Sequence, residues 1–318
     1  MSGLLADEFS RLGHVVTVIT QTGAEDGEKF PFPVIRQPSI RKLFSLAKWC
    51  DVFWHNNLSL RTLWPALCLR KPVVITHQGS YCRHPAGIDL MLRLKHAVVN
   101  RTTSVAISQF TASCFKVRSI IIPNPYDARL FRILSPATER TGDLIFLGRL
   151  VSEKGLDILL ESLGRLRSTG LRPRLTVVGS GPESTAMQKL GESLGIHDQV
   201  SFTGPKRSTE LAKILNDHQI LVVPSRYDEP FGVVALEGIA CGCAVVGSSG
   251  GGLAETIGSC GVTFSNGNAE ALAKALQKLL TQPNEYAGFA AHAPEHLAQF
   301  HPGMIANRYL DLFRSKLQ

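Results

Sequence analysis

The chain has 318 residues, of which 44% are hydrophobic and 19% charged, an ordinary composition for a globular α/β protein with one or two domains. No apolar run reaches the ~20 residues that a membrane-spanning helix needs. The first residues also lack the layout of a signal peptide. These features argue against an integral membrane protein.

The net charge of +8 is unevenly distributed. Residues 1–137 contain 17 Lys and Arg against 8 Asp and Glu, whereas residues 138–318 contain 17 against 18. The basic half favours an anionic partner, and anionic lipid headgroups fit, at about 1 kcal/mol per nearby basic residue. No nucleic acid is expected, because no reading motif or aromatic stacking platform accompanies the charge. A plain solvated basic surface is the alternative.

The seven cysteines are scattered and mostly lie in apolar segments. Their odd number and irregular spacing favour buried thiols in a reducing compartment over a disulfide framework. Cys241 and Cys243 are two residues apart, which is the wrong spacing for a zinc knuckle. The sequence therefore predicts neither disulfides nor a zinc site.

Helix and strand patterns alternate through the first half. Leu4–Leu12 has helical spacing, and Val15–Thr20 has the pattern of a buried strand. The further strands predicted in this half are Phe32–Ile35, Asp51–His55, Val73–Thr76, Ser104–Ser108 and Ile120–Ile122, and Phe110–Phe115 begins a helix.

Two helical segments of this half are both basic and amphipathic. In the first, Ile40, Leu43, Phe44 and Ala47 share one face and lysines and an arginine flank it. The second is Leu90–Val99. Packing on the sheet is the commoner role of such helices, and contact with a membrane surface is the alternative.

His77 directly follows the strand Val73–Thr76. Because ligands of open α/β sheets bind outside the carboxyl ends of the strands, His77 is well placed for function. A satisfied structural histidine is the alternative, and His84 in the following loop is a weaker candidate.

The polar segment Leu134–Gly142 fits a linker between domains. After it, strand Leu144–Leu147 ends in Gly148-Arg149, and the string SEKG precedes an amphipathic helix, Leu156–Arg167. Arg149 and Lys154 would then lie at the carboxyl edge of the sheet. There the several N–H donors of the arginine and the positive charge of the lysine could bind a diphosphate. Two solvated cations are the alternative.

Glycines also end the next two predicted strands. Leu175–Val178 runs into Gly179, and Val200–Thr203 runs into Gly204. As bare glycine turns these signals are weak.

The stretch Val222–Gly242, VVPSRYDEPFGVVALEGIACG, is the most informative part of the chain. It predicts a strand, a polar turn closed by Glu229, and a helix that Pro230, Phe231 and Gly232 open and that carries Glu237. The eight-residue step between the two glutamates spans at most about 12 Å. The N–H groups of Phe231 and Gly232 would lie between the carboxylates, where the helix dipole favours an anion. Two solvated helix-face acids are the alternative.

Together these strings resemble the family 4 retaining glycosyltransferases of the GT-B fold. The strings are the E-x7-E motif at Glu229 and Glu237, GRL-x-x-EKG at residues 148–155, the glycine turn at residues 179–183 and Pro-Asn-Pro at residues 123–125. In the last string Pro125 replaces the usual Gly. The resemblance covers nearly the whole chain.

The resemblance implies an α/β fold of two doubly wound, Rossmann-like domains that face each other across a cleft. Residues 1–137 would form the acceptor-binding domain and residues 138–300 the nucleotide-sugar-binding domain. Residues 301–318 would form a helix that crosses back to the first domain.

The implied reaction is transfer of a sugar, with retention at the anomeric carbon, from a nucleotide sugar to a glycolipid or polysaccharide acceptor. Such a hexosyltransferase would be cytoplasmic, with possible peripheral contact at the inner face of the plasma membrane, and would build cell-surface glycans such as lipopolysaccharide. No metal or other cofactor is expected, because the chain has no Asp-x-Asp motif.

The resemblance also assigns roles to residues. Glu229 and His77 would contact the sugar, and Arg149 and Lys154 would neutralise the leaving diphosphate. Glu237 would hold the ribose, and the remaining donor-binding positions would be Phe231, Gly232, Gly148, Gly179 and Gly204.

One departure from the family pattern concerns the N-terminus. The chain begins on a helix, and the strand and glycine-rich loop that precede this helix in the family are not in the sequence. A non-catalytic or truncated homologue is therefore the main alternative, and a nucleotide-sugar epimerase is a weaker one.

Overall fold

The computed structural model describes residues 2–23, 29–79, 97–114, 117–134 and 136–318. The chain divides into two compact units. The N-terminal unit comprises Met1–Pro125 and Phe300–Gln318, and the C-terminal unit comprises Tyr126–Gln299. The boundary at residue 125 precedes the expected one at residue 137, and the last helix groups with the N-terminal unit.

The N-terminal unit contains a two-stranded and a four-stranded sheet, both parallel. The first pairs β1 with β2, and the second has the order β3-β4-β5-β6. The strands are β1 (Val18–Thr20), β2 (Val34–Arg36), β3 (Phe53–Asn56), β4 (Val73–His77), β5 (Thr103–Ala106) and β6 (Ile120–Ile121), and the helices are α1 (Ser2–Arg11), α2 (Ile40–Trp49), α3 (Leu60–Cys68), α4 (Gln109–Ser113) and α12 (Pro302–Arg314).

Buried clusters cover both faces of the four-stranded sheet. On one face, Val74 of β4 packs with Phe9 of α1 and Tyr309 of α12. On the other, Ile75 packs with Ala47 of α2 and Leu63 of α3. Successive residues of a strand point to opposite faces, which is why β4 is apolar along its whole length before Thr76.

The C-terminal unit is built on one parallel sheet of six strands with the order β12-β11-β10-β7-β8-β9. The strands are β7 (Gly142–Leu147), β8 (Leu175–Val178), β9 (Val200–Gly204), β10 (His218–Val223), β11 (Ala244–Ser248) and β12 (Gly261–Phe264), and the helices are α5 (Leu156–Ser168), α6 (Ser184–Ser193), α7 (Ser208–Asn216), α8 (Val233–Ala240), α9 (Leu253–Ile257), α10 (Ala269–Thr281) and α11 (Pro283–Ala298). Leu144, Phe146 and Val222 of the central strands join α5 and α10 in one large buried cluster.

The predicted fold class, α/β with two Rossmann-like domains, is confirmed. Strands and helices that carry strong apolar patterns lie where the sequence indicates, within one to three residues at their ends. Helix α3 was not predicted, since Pro65 lies inside it and proline removes a helical hydrogen-bond donor. The helical prediction Leu90–Val99 and the candidate His84 lie outside the described residues, apart from residues 97–99, which are helical.

The prediction that all cysteines are free thiols is wrong for Cys114, which is disulfide-bonded. Cys50, Cys68, Cys241, Cys243 and Cys260 are free. Whether two cysteines pair depends on the distance and direction of their side chains in the fold, which their spacing in sequence does not give. In the part of the chain that the structure describes, no helix is long and apolar enough to cross a bilayer.

Candidate functional site

The C-terminal sheet reverses its direction of growth between β7 and β10. From β7 the chain adds β8 and β9 on one side, and from β10 it adds β11 and β12 on the other. Strands β7 and β10 are direct neighbours, with Leu144 opposite Ile220. Ligands of open parallel sheets bind in the crevice outside the carboxyl ends of the strands at such a reversal. The turns after β7 and β10 both leave from this place.

The turn after β7 is shaped to approach the turn after β10. It contains a 3-10 turn, Ser152–Lys154, and then Gly155 with a φ of 67°. A Cβ atom at Gly155 would lie 2.0 Å from the carbonyl oxygen of Pro224, so only glycine allows this approach. The Arg226 N–H donates to the carbonyl oxygen of Glu153 at 2.9 Å, and the Arg226 side chain forms an ion pair with Asp157. The two predicted motifs are therefore joined through their backbones.

Glu229 is the best-connected acid of this region, and it is only 6% exposed. Its Oε1 accepts hydrogen bonds from Lys154 Nζ and from Ser225 Oγ, both at 2.6 Å, and its Oε2 accepts one from Tyr227 at 2.7 Å. A buried carboxylate is costly unless it is paired and hydrogen-bonded. Three donors on two turns meet this requirement. Lys154 and Glu229, which were predicted as site residues of two separate motifs, are in direct contact.

Tyr227 completes this group of side chains. Lys154 Nζ donates to the Tyr227 hydroxyl at 3.1 Å and lies 5.1 Å from the centre of its ring. Burial, and then the hydrogen bond to Glu229, raises the pKa of Tyr227 well above its ordinary value. The phenol therefore stays protonated near neutral pH and acts as a donor to the carboxylate.

The helix after Glu229 begins later than predicted. Helix α8 starts at Val233, and Gly232 is its N-cap with a φ of 97°. Phe231 is buried, and its carbonyl oxygen accepts a hydrogen bond from Thr256 at 2.7 Å. The carbonyl oxygen of Glu229 accepts from the Gly252 N–H at 2.7 Å. This backbone pairing joins Glu229 to the glycine turn of residues 250–252. Gly232 then takes the left-handed conformation at the start of the helix, and the prediction that Pro230 opens the helix is wrong.

Glu237 lies on α8 and is half-buried. Burial raises its pKa from the ordinary 4.5 to about 7. The hydrogen bonds that join Lys154, Tyr227 and Glu229 do not include Glu237. Burial therefore favours the neutral form of the second acid of the motif, which takes no part in the hydrogen bonds of the first.

Three predicted glycines lie side by side at the carboxyl ends of β7, β8 and β9. The Gly148 N–H donates to the carbonyl oxygen of Val178 at 3.1 Å, and the Gly179 N–H donates to that of Gly204 at 3.0 Å. Gly179 has a φ of 144°, and a Cβ atom there would lie 1.8 Å from the Gly148 carbonyl oxygen. At these strand ends the backbones of β7, β8 and β9 are therefore packed closely together, next to the turn that carries Lys154.

Arg149 comes directly after Gly148, and its side chain is exposed. It forms no ion pair within the described ranges of the chain, unlike Lys154. Its guanidinium is thus available to an anion at the same strand end.

His77 lies in the N-terminal unit, apart from the residues above. It is the last residue of β4, its side chain is fully buried, and its Nε2 lies 3.1 Å from Ser104 Oγ. Burial lowers the pKa of His77 to about 4, so the ring is neutral near pH 7.

Sequence reasoning did not identify Ser225 and Tyr227. Both lie in the turn PSRYDE, within four residues of Glu229. The usable signal was a pair of hydroxyls beside an acid whose flanking strand and helix are apolar, since a buried carboxylate needs donors.

Residues 132–296 match the sequence family described as Glycosyl transferases group 1, which is more than half of the chain. A relative from Rhodococcus erythropolis, named D-inositol 3-phosphate glycosyltransferase, is 36% identical over 179 residues, which is 53% of this chain and 40% of the relative. The match thus spans about two fifths of that relative's length.

Solved structures of other proteins superpose on more of the chain than these sequence matches cover. A glycosyltransferase from Rickettsia africae superposes with a TM-score of 0.83 at 17% identity, covering 100% of this chain and 94% of that one. Anabaena HepE, solved in complex with UDP-glucose, gives a TM-score of 0.80 at 18% identity, covering 98% and 95%. At these identities the likeness concerns the fold.

Proposed function

Because the chain belongs to the glycosyl transferases group 1 family, we propose that it transfers a sugar from a nucleotide-sugar donor to an acceptor, with retention at the anomeric carbon. One observation carries this proposal. Lys154 Nζ and Glu229 Oε1, from two separate turns, meet at 2.6 Å where the sheet reverses its growth. That is the expected place for a nucleotide-sugar donor. There the cation would face the phosphates of the donor, and the carboxylate would face the hydroxyls of its sugar.

The diphosphate would be bound by the two cations after β7. Lys154 supplies a point charge, and Arg149 supplies an exposed fork of donors. As the sugar leaves, negative charge develops on the diphosphate, and fixed cations stabilise it at that moment. The packed glycine backbone of Gly148, Gly179 and Gly204 leaves room for a phosphate or a base to approach. No metal ion is part of this proposal.

The two glutamates would hold the two ends of the donor. Glu229 accepts hydrogen bonds from sugar hydroxyls and its charge favours an oxocarbenium-like transition state. Glu237 accepts from the ribose. The backbone of Phe231 and Gly232 lies in the chain between them, and His77 is proposed as a further sugar contact.

For the donor, a sugar nucleoside diphosphate is proposed, because a neighbouring fold was solved with UDP-glucose. For the acceptor, a glycolipid or surface polysaccharide is proposed on the basis of the basic first half. The Rhodococcus relative is named for inositol 3-phosphate, so this acceptor belongs in the same test.

Peripheral contact with an anionic membrane is proposed for the face formed by α2 and α3. Ile40 is 62% exposed, Trp49 52% and Trp64 38%, and the Phe44 ring packs edge-on against Trp64 at 4.9 Å between centroids. Exposed aromatic and basic residues on amphipathic helices are typical of helices that lie at a lipid interface. The exposed basic residues of this face are Arg41, Lys42, Lys48 and Arg61.

The experiment is a panel of nucleotide sugars with uridine, adenosine, guanosine and thymidine bases, with release of the nucleoside diphosphate as the readout. At least one donor should bind and be hydrolysed slowly, and faster with a glycolipid or inositol phosphate acceptor. Anionic vesicles should retain the protein, whereas neutral vesicles should not. If no donor binds or turns over, a non-catalytic homologue is the correct interpretation.

A further inference from the structure

The Tyr227 side chain contacts Lys154 through its hydroxyl. The hydroxyl accepts a hydrogen bond from Lys154 Nζ at 3.1 Å, and the centre of the ring lies 5.1 Å from the same nitrogen. The ammonium group therefore lies at the hydroxyl end of the ring. This hydrogen bond restricts the positions that the ammonium group can take.

The same hydroxyl holds the carboxylate. It donates to Glu229 Oε2 at 2.7 Å, while Ser225 and Lys154 donate to Oε1. Each oxygen of the Glu229 carboxylate thus has a fixed donor from the protein. Without Tyr227, Oε2 would lose its side-chain donor, and Lys154 would keep only its contact with Oε1.

The turn that carries Tyr227 is itself fixed. The Asn266 amide donates to the Tyr227 carbonyl oxygen at 3.4 Å, and its Oδ1 accepts from the Gly250 N–H at 2.8 Å. Lysine, by contrast, has a flexible four-carbon chain with large rotamer entropy, and the Lys154 side chain is still 25% exposed. A rigid phenol beside a flexible cation is an arrangement that orders the cation.

We propose that Tyr227 is a positioning residue that fixes the Lys154 ammonium for a nucleoside diphosphate and, through the same hydroxyl, holds the Glu229 carboxylate beside it. It acts through these two side chains and need not touch the ligand. The inference rests on the proposed function, because it assumes that Lys154 binds a diphosphate.

The test is a double-mutant cycle on binding of the nucleoside diphosphate that the wild type binds best among UDP, ADP, GDP and TDP. Tyr227→Phe keeps the ring and removes the hydroxyl, and we expect it to weaken binding about tenfold, the size of one hydrogen bond to a charged group. Tyr227→Leu removes the hydroxyl and the ring together and should weaken binding at least as much. In a Lys154→Met background, Tyr227→Phe should change the affinity less than about twofold, because the ammonium group that Tyr227 positions for the diphosphate is gone.

Tyr286→Phe is the matched control. Tyr286 is also half-buried in the C-terminal unit, and its hydroxyl donates to the carbonyl oxygen of Gly242, away from Lys154. This variant should bind the diphosphate like the wild type. Thermal unfolding of every variant shows whether a loss of binding comes from a loss of folding.

The outcomes separate the two proposals. If the wild type binds no nucleotide of the panel, the proposed function and this inference both fail. If the wild type binds a diphosphate but Tyr227→Phe binds it equally well, only this inference fails. Equal tenfold losses from Tyr227→Phe with and without Lys154 would also overturn it, since additive effects indicate a merely structural role.

Discussion

The two units differ in the turns at the carboxyl ends of their strands. In the C-terminal unit, the turns after β7 and β10 carry polar side chains that contact one another, with Lys154, Tyr227 and Glu229 in one hydrogen-bonded group. In the N-terminal unit, the candidate His77 is the last residue of β4 and is fully buried against Ser104. Both Glu229 and His77 are buried, so a position at a strand end does not make a residue accessible. The difference is that donors from two turns hold the Glu229 carboxylate in the charged form, whereas burial keeps the His77 ring neutral.

Replacing Lys154 tests the C-terminal side of this comparison and should give the largest effect. Lys154→Met removes the cation and leaves Glu229 buried without its charged partner. We expect kcat to fall by about 10²- to 10³-fold, as for loss of one preorganised donor to a developing anion. The measurement is turnover of the donor found in the nucleotide-sugar panel.

Lys274→Met is its control, since Lys274 pairs with Glu270 on the exposed side of α10. That variant should keep full activity. Activity of Lys154→Met within threefold of the wild type would contradict the role of Lys154 at the diphosphate.

Replacing His77 tests the N-terminal side. Because the ring is fully buried and hydrogen-bonded, His77→Ala should lower the free energy of unfolding by about 2–4 kcal/mol, through a cavity and a lost hydrogen bond. Denaturant unfolding measures this change. His292→Ala, at an exposed histidine of α11, should be nearly neutral.

Unchanged stability together with lost turnover would place His77 at the sugar, as the family resemblance implies.

The pH dependence of stability tests Glu237, with a smaller expected effect. Its pKa of about 7 in the folded chain lies above the ordinary 4.5, so the folded chain keeps this proton while the unfolded chain releases it. The contribution of Glu237 to the free energy of unfolding is therefore fully present below pH 4.5 and is lost as the pH rises towards 7. Glu237→Gln cannot titrate and should not show this loss.

The measurement is the free energy of unfolding of wild type and Glu237→Gln at several pH values. Relative to the variant, the wild type should lose on the order of 2 kcal/mol between pH 4.5 and 7. Parallel curves would show that Glu237 is not buried enough to hold its proton.

Much of the C-terminal unit could be predicted from sequence. Strands such as Leu175–Val178 are short apolar runs bounded by glycine, and this pattern places them within a residue of the observed ends. The start of α8 could not be predicted this way, because it depends on a non-local contact. Glu229 pairs with Gly251, and Gly232 then caps the helix in the left-handed conformation. The disulfide of Cys114 could not be predicted either, because the spacing of cysteines in sequence does not give the distance between their side chains in the fold.

The amino-acid pattern alone determined the alternation of strands and helices, the two-unit α/β class and the resemblance carried by residues 148–155 and 229–237. These features arise from local periodicity and from short motifs, which do not require distant contacts. Only the tertiary structure decided that Ser225 and Tyr227 hold Glu229, and that His77 is enclosed in the sheet. Burial and side-chain pairing depend on which segments meet in space, and the order of the strands in the sheet sets those meetings.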